Sequence, residues 1–162
     1  MAKVFPGRRT AEVGPDGVVV FLIGMRFNHW WRIDKWWSVF TAMPRMLRGL
    51  SRQEDSPLLG YHLWLGPSRN LMVQQYWRSL DELIAYASDS TAPHAAAWRS
   101  FNRRIGEDGS VGIWHESYHV EPGRLEVLYG NMPAFGLAGA TASVPVTERR
   151  STARKRLRQD AA

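Results

Sequence analysis

At 162 residues, 44% of them hydrophobic, the chain fits one domain able to bury a core, and its eight Trp exceed what such a core needs. The absence of cysteine excludes a disulfide framework and thiolate chemistry. The formal net charge of +6 invites a nucleic-acid reading, but residues 148–162 hold six Arg/Lys and two Asp/Glu, so +4 of it sits there.

The N-terminal sequence MAKVFPGRRT lacks the apolar stretch of a signal peptide, and no apolar run approaches the ~18 residues of a membrane span. A cytoplasmic protein is expected, with no membrane partner and no specific nucleic acid. Residues 1–16 read as an N-terminal extension. Pro15-Asp16-Gly17 signals a turn, after which 17–28 forms a strand whose near-continuous apolar run implies burial on both faces. From Trp31 to Leu50 the apolar residues recur at helical spacing, with Pro44 as a kink or a fresh start. Residues 58–66 and 71–78 form a hairpin around GPSRN. Ser79 and Glu82 make a capping box, which starts a helix over 80–88. Pro93 suits the first position of another helix, whose apolar face carries His94, Trp98, Phe101 and Ile105. VGIWHESYHV (111–120) is a strand, and RLEVLYGNM a last extended segment. Residues 138–162, small-residue-rich and then basic, read as a disordered tail, either a solvated extension or a binding arm.

The order β-α-β-β-α-β is the ferredoxin-like α+β arrangement over 17–137, with a four- to five-stranded antiparallel sheet. Helices cover one face. The doubly apolar strands make a homodimer, sheet against sheet, the natural cover for the other.

In strand 111–120 alternate side chains share a face, so Ile113, His115, Ser117 and His119 oppose Trp114, Glu116 and Tyr118. His115 and His119 lie about 13 Å apart at ~3.3 Å per residue, too far to clasp one metal. A mixed site drawing on His62, His94 and His115 from different elements stays open. Either the His115 face or the Glu116 face lines a pocket. Equally, Glu116 could hold a structural network and His115 could be a satisfied core histidine. His94, in a first helical turn, is either packing or a general base, since a neutral imidazole can take a proton. Asn28 could hold a substrate oxygen or a developing oxyanion, or else cap the first helix. The Trp30/Trp31 and Trp36/Trp37 pairs cannot all face one side of a helix. No G-x-G-x-x-G, G-x-x-x-x-G-K or G-x-S-x-G motif occurs, which argues against a pyrophosphate-bound nicotinamide or flavin and against a hydrolase elbow.

The element order, with VQQYWRSLDELIAYA, PHAAAWRSFNRRIG, VGIWHESYHV and LYGNMPAFGL, resembles the dimeric α+β barrel superfamily of antibiotic-biosynthesis monooxygenases. Within it the chain is similar to a branch around a fungal polyketide-pathway monooxygenase. The resemblance implies a dimeric oxygenase acting on an aromatic or apolar small molecule. In that reading His94 or His115 abstracts a proton and Asn28 holds the oxyanion. Trp77, Tyr86 and Trp98 form walls, and Glu116, Tyr118 and His62 are further substrate contacts. Haem-degrading members of the superfamily resemble the chain at Asn28, Tyr86 and His94, with His94 two residues nearer than in their pattern. That implies haem as the alternative cofactor, with His94 as its axial ligand. A third reading keeps the pocket in a non-catalytic binding dimer.

Overall fold

The computed structural model describes residues 2–91, 95, 99, 103 and 108–157. Strands β1 (Arg8–Glu12) and β2 (Val18–Phe27) precede helix α1 (Ile33–Leu50), the hairpin β3 (Leu58–Gly66) and β4 (Asn70–Trp77), and helix α2 (Leu80–Ser88). Strands β5 (Val111–Val120) and β6 (Tyr129–Gly130), helix α3 (Gly136–Ala140), strand β7 (Ala142–Pro145), a 3-10 turn over Glu148–Arg150 and helix α4 (Ala153–Arg156) complete the chain. Ala95, Arg99 and Arg103 are helical; the expected helix from Pro93, with His94, Trp98, Phe101 and Ile105, otherwise lies outside the described residues.

The main sheet runs β3-β4-β2-β5, antiparallel throughout. This is the ferredoxin-like α+β order, with the first and third strands of the β-α-β-β-α-β unit in the centre. The continuous apolar run of β2 has the cause expected of it. Val19 packs with Leu47, Leu50, Trp77 and Leu83 on the helical side. Val18 and Val20 pack with Tyr76, Leu137 and Val127 on the other. Pro44 lies inside an unbroken α1, which therefore forgoes one backbone hydrogen bond there. Ser79 caps α2 as expected: its Oγ accepts from the Glu82 backbone N–H at 3.2 Å and lies 3.3 Å from Glu82 Oε2.

Three expectations are corrected. The 1–16 segment is not a bare extension, because β1 is the centre of a second antiparallel sheet, β6-β1-β7. The last extended segment joins that sheet and not the main one, through Tyr129–Gly130, so the main sheet has four strands, the lower of the two numbers expected. As far as Leu157 the C-terminal segment is ordered, and two of its arginines are spent inside the chain. Arg150 pairs with Glu12 at 3.0 Å, and the buried Arg156 donates through Nε to Glu126 at 2.8 Å and through Nη1 to the Arg150 carbonyl at 2.8 Å. Composition suggested a solvated tail; the desolvated Arg156 guanidinium, with a carboxylate and a carbonyl as acceptors, and the Arg150–Glu12 pair hold it down instead. The small-residue stretch 136–140 is what lets α3 approach β3: a Cβ on Gly60 would come within 2.9 Å of Ala140 Cβ.

This second layer covers part of the main sheet's outer face within one chain. Ala11, Val13, Leu125, Val127, Leu137 and Ala140 pack against Val18, Val20, Leu59, Tyr76 and Val120. Among the tryptophans, Trp36 tucks its ring against Phe27 and donates Nε1–H to the Trp30 carbonyl at 3.1 Å. Trp30, Trp31 and Trp37 remain exposed.

Candidate active site

The cross-strand register sorts the main sheet into rows. On the helical face Leu63, Val73, Ile23 and His115 form one row, and Tyr61, Gln75, Phe21 and Ser117 form the next. Between this face and α1 and α2 lies a cavity of about 560 Å³, within the range of small-molecule sites. Phe21, Ile23, Met25, Val73 and Trp77 make its floor, Phe40, Met43 and Leu47 of α1 one wall, and Leu83, Ile84 and Tyr86 of α2 another. Gln75, His115 and Ser117 bring polarity from the sheet, and Tyr86, Asp89 and Arg99 bring it from the helical side.

Strand parity left open which face of β5 is inside. The structure puts Ile113, His115 and Ser117 on the cavity, with the Phe21 ring 5.8 Å from the His115 imidazole. β5 is an edge strand, so His115 is exposed as well as facing the cavity. Trp77 is 1% exposed, packs its ring 5.3 Å from that of Tyr86 in a tilted arrangement, and donates its indole N–H to Gln75 Oε1 at 2.9 Å. Burial, with the nearby Asp89 charge, raises the Tyr86 hydroxyl above the ordinary tyrosine value, so it stays protonated.

Other expected site residues lie elsewhere. Glu116 and Tyr118 face away from the cavity, and the Tyr118 hydroxyl donates to Glu116 Oε2 at 2.6 Å. The cause is the period-two alternation that turns His115 inward. Trp114 shares their face and lies over Gly24, where a Cβ would sit 2.6 Å from the indole. His62 also faces outward. Its Nε2 accepts from the Gly136 backbone N–H at 3.0 Å and its ring packs 4.4 Å from Phe135, so it anchors α3. Asn28 neither reaches the cavity nor caps α1; Nδ2 donates to the Gly109 carbonyl at 2.9 Å, tying the end of β2 to the start of β5. His94 and Trp98 lie outside the described residues. No group of three His, Asp or Glu positioned for a metal occurs among the described residues.

Beside that tie, Asp108 accepts the Ser110 N–H at 2.8 Å and pairs with Lys35 at 3.2 Å. Hydrogen bonds from the Ser110 hydroxyl and N–H, then Lys35, lower its carboxyl from 3.8 to about 2. A depressed acid stabilises the fold above its unfolded value and loses that contribution as pH falls through its folded value. The anchoring of this loop is therefore expected to weaken between pH 4 and about 2. A carboxyl NMR titration of Asp108 with a midpoint near 4 would contradict it.

Sequence reasoning missed Gln75 and Arg99, and it placed Ser117 on the His115 face without giving it a role. A signal for the first existed: Gln74 and Gln75 are adjacent in an otherwise apolar strand, so one of the two must enter the core side.

The fold and cavity define a ferredoxin-like α+β domain with an apolar small-molecule pocket between sheet and helices. Residues 18–137 match the family described as Monooxygenase af470-like, and the chain belongs to that family. It is 27% identical over 151 residues to Monooxygenase af470 of Aspergillus fumigatus, an alignment covering 81% of this chain and 53% of that relative. The chain thus spans about half the length of that relative. SnoaB of Streptomyces nogalater, a cofactor-independent oxygenase, aligns with a TM-score of 0.43 at 15% identity, covering 65% of this chain and 94% of SnoaB. A putative antibiotic biosynthesis monooxygenase from Deinococcus radiodurans aligns with a TM-score of 0.45 at 12% identity, covering 63% of this chain and 91% of its own. No helix among the described residues is long and apolar enough to cross a membrane.

Proposed function

We propose that the chain is a monooxygenase acting on an aromatic, polycyclic or otherwise apolar small molecule, with neither flavin nor nicotinamide. The observation that carries this reading is an apolar cavity of about 560 Å³ with an imidazole, His115, in its lining. Family membership supports the reaction class. The cavity's apolar floor suits fused rings, and His115 is placed to take a proton from a phenol or an acidic C–H of the substrate. The resulting electron-rich anion reduces dioxygen: one oxygen atom bonds to the substrate carbon and the other leaves as water. When a ring methylene becomes a carbonyl, the substrate itself supplies all four electrons, so no external reductant enters the balance. The same reading includes a homodimer, to which the exposed Trp64 and Leu65 at the end of β3 offer an apolar surface, and a place in cytoplasmic secondary metabolism.

The test is oxygen uptake by the purified protein with a panel of polycyclic phenols, alongside its visible spectrum. Uptake of one O₂ per product, with no flavin or haem absorbance, supports the proposal. Uptake that appears only after hemin addition, with a saturable Soret band, would move the reading to a haem-dependent enzyme. Saturable binding of the phenols with no uptake would leave a non-catalytic binding protein.

A further inference from the structure

The carboxamide of Gln75 is 4% exposed and lines the apolar cavity. Its chemistry is half spent. Trp77 Nε1–H can only donate, so the Gln75 atom 2.9 Å from it must be the carbonyl oxygen. That fixes the amide's orientation and leaves its NH₂ group with two donors. No acceptor for either donor occurs among the described residues, although the neighbouring Gln74 amide is satisfied by donating to the Tyr76 hydroxyl at 2.8 Å. A buried donor without an acceptor costs roughly 1–3 kcal/mol, so this amide nitrogen calls for an acceptor, which a ligand in the cavity can supply.

We infer that Gln75 is the oxygen-recognising donor of this cavity, its amide nitrogen donating to a carbonyl or phenolate oxygen on an otherwise apolar ring system. The inference rests on the proposed function for the reacting class, but it concerns recognition and does not require turnover. Trp77 is the positioning residue: by binding the amide oxygen it fixes the amide's orientation and presents the NH₂ group. Gln75 therefore selects acceptors over donors, and hydrogen-bonds more strongly to an anion than to the neutral phenol. Gln75 and His115 lie on different strands and in adjacent rows of the same face, separated by β2. A fused-ring ligand spanning the two places its oxygen at Gln75 and its acidic position toward His115.

The experiment compares 9-fluorenone with fluorene, which differ by one ketone oxygen, through quenching of tryptophan fluorescence in the 162-residue chain. Wild type is expected to bind 9-fluorenone about three- to tenfold more tightly, the size of one neutral hydrogen bond. Gln75→Leu is expected to keep fluorene affinity and lose the preference. The wild-type protein gives a second readout should that variant fold poorly. The Gln75 side-chain NH₂ resonances are expected to move downfield with 9-fluorenone and to stay in place with fluorene. Equal affinities in wild type, a preference retained in Gln75→Leu, unmoved NH₂ resonances, or binding of neither compound would each overturn the inference. A clear preference with no oxygen uptake on any phenol would remove the proposed oxygenation and leave the role of Gln75 standing.

Discussion

Replacing His115 with alanine is expected to lower oxygen uptake by about 10²- to 10⁴-fold, the usual worth of a positioned general base. The effect should fall on kcat, with KM nearly unchanged, because the imidazole acts in the proton-transfer step and covers little of the apolar floor. Its placement supports this: it lies in the cavity lining, in the row of Ile23, Val73 and Leu63, with the Phe21 ring at 5.8 Å as its nearest aromatic neighbour. Stability should change by no more than about 0.5 kcal/mol, since the side chain is exposed on an edge strand. An oxygen-electrode assay with polycyclic phenols checks the rate, and urea unfolding of the same preparation checks the fold. An unchanged kcat would remove His115 as the base.

Trp77→Ala is expected to cost about 3–5 kcal/mol of folding stability, the range for deleting a fully buried large aromatic. Trp77 is 1% exposed and joins elements far apart in sequence. Its ring belongs to the cluster of Val19, Leu47, Leu50, Leu58, Val73 and Leu83, drawn from three strands and both long helices. Truncation would also strip the Gln75 amide oxygen of its partner, a second buried polar group left unmatched. Trp77→Phe keeps most of the apolar area and loses only the indole donor and some volume, so it should cost less than half as much. Equilibrium urea denaturation measures both. A loss below about 1 kcal/mol for the alanine variant would mean that this cluster does not hold sheet and helices together.

The two expectations separate cleanly because the cavity is built from two kinds of residue. Trp77 and its apolar neighbours hold sheet and helices together whether or not a ligand is present. His115 sits at the open edge, and its removal should leave that packing untouched. A protein losing activity and stability together on His115 replacement would point to a structural histidine, one of the readings the sequence left open.

Much of the scaffold was legible from residue patterns. The strand over 111–120, the hairpin around residues 67–69 and the Ser79/Glu82 capping box are local features, set by period-two alternation, turn residues and a cap three residues from its partner. The apolar run of β2 correctly required cover on both faces, yet the cover found within the chain came from segments whose composition suggested an extension and a tail. Ala11, Leu137 and Ala140 are individually unremarkable; their value lies in what they meet. Glu12 and Glu126 likewise give no sign of their arginine partners, which lie 138 and 30 residues away in sequence.

By itself the sequence determined the sheet's alternation, the amphipathic helices, and the fact that His115 and Glu116 must serve opposite sides of one strand. Those are consequences of backbone geometry acting over a few residues. Only the tertiary structure decided which side is the cavity, because that depends on where the β-α-β crossovers lay the helices. It also reassigned His62 to anchoring α3 and Asn28 to a loop tie, through hydrogen bonds spanning 74 and 81 residues. And it turned Gln75, one of a pair of glutamines in an apolar strand, into the cavity's buried amide. Its role comes from an indole on the same face that takes its oxygen and leaves its nitrogen to a ligand.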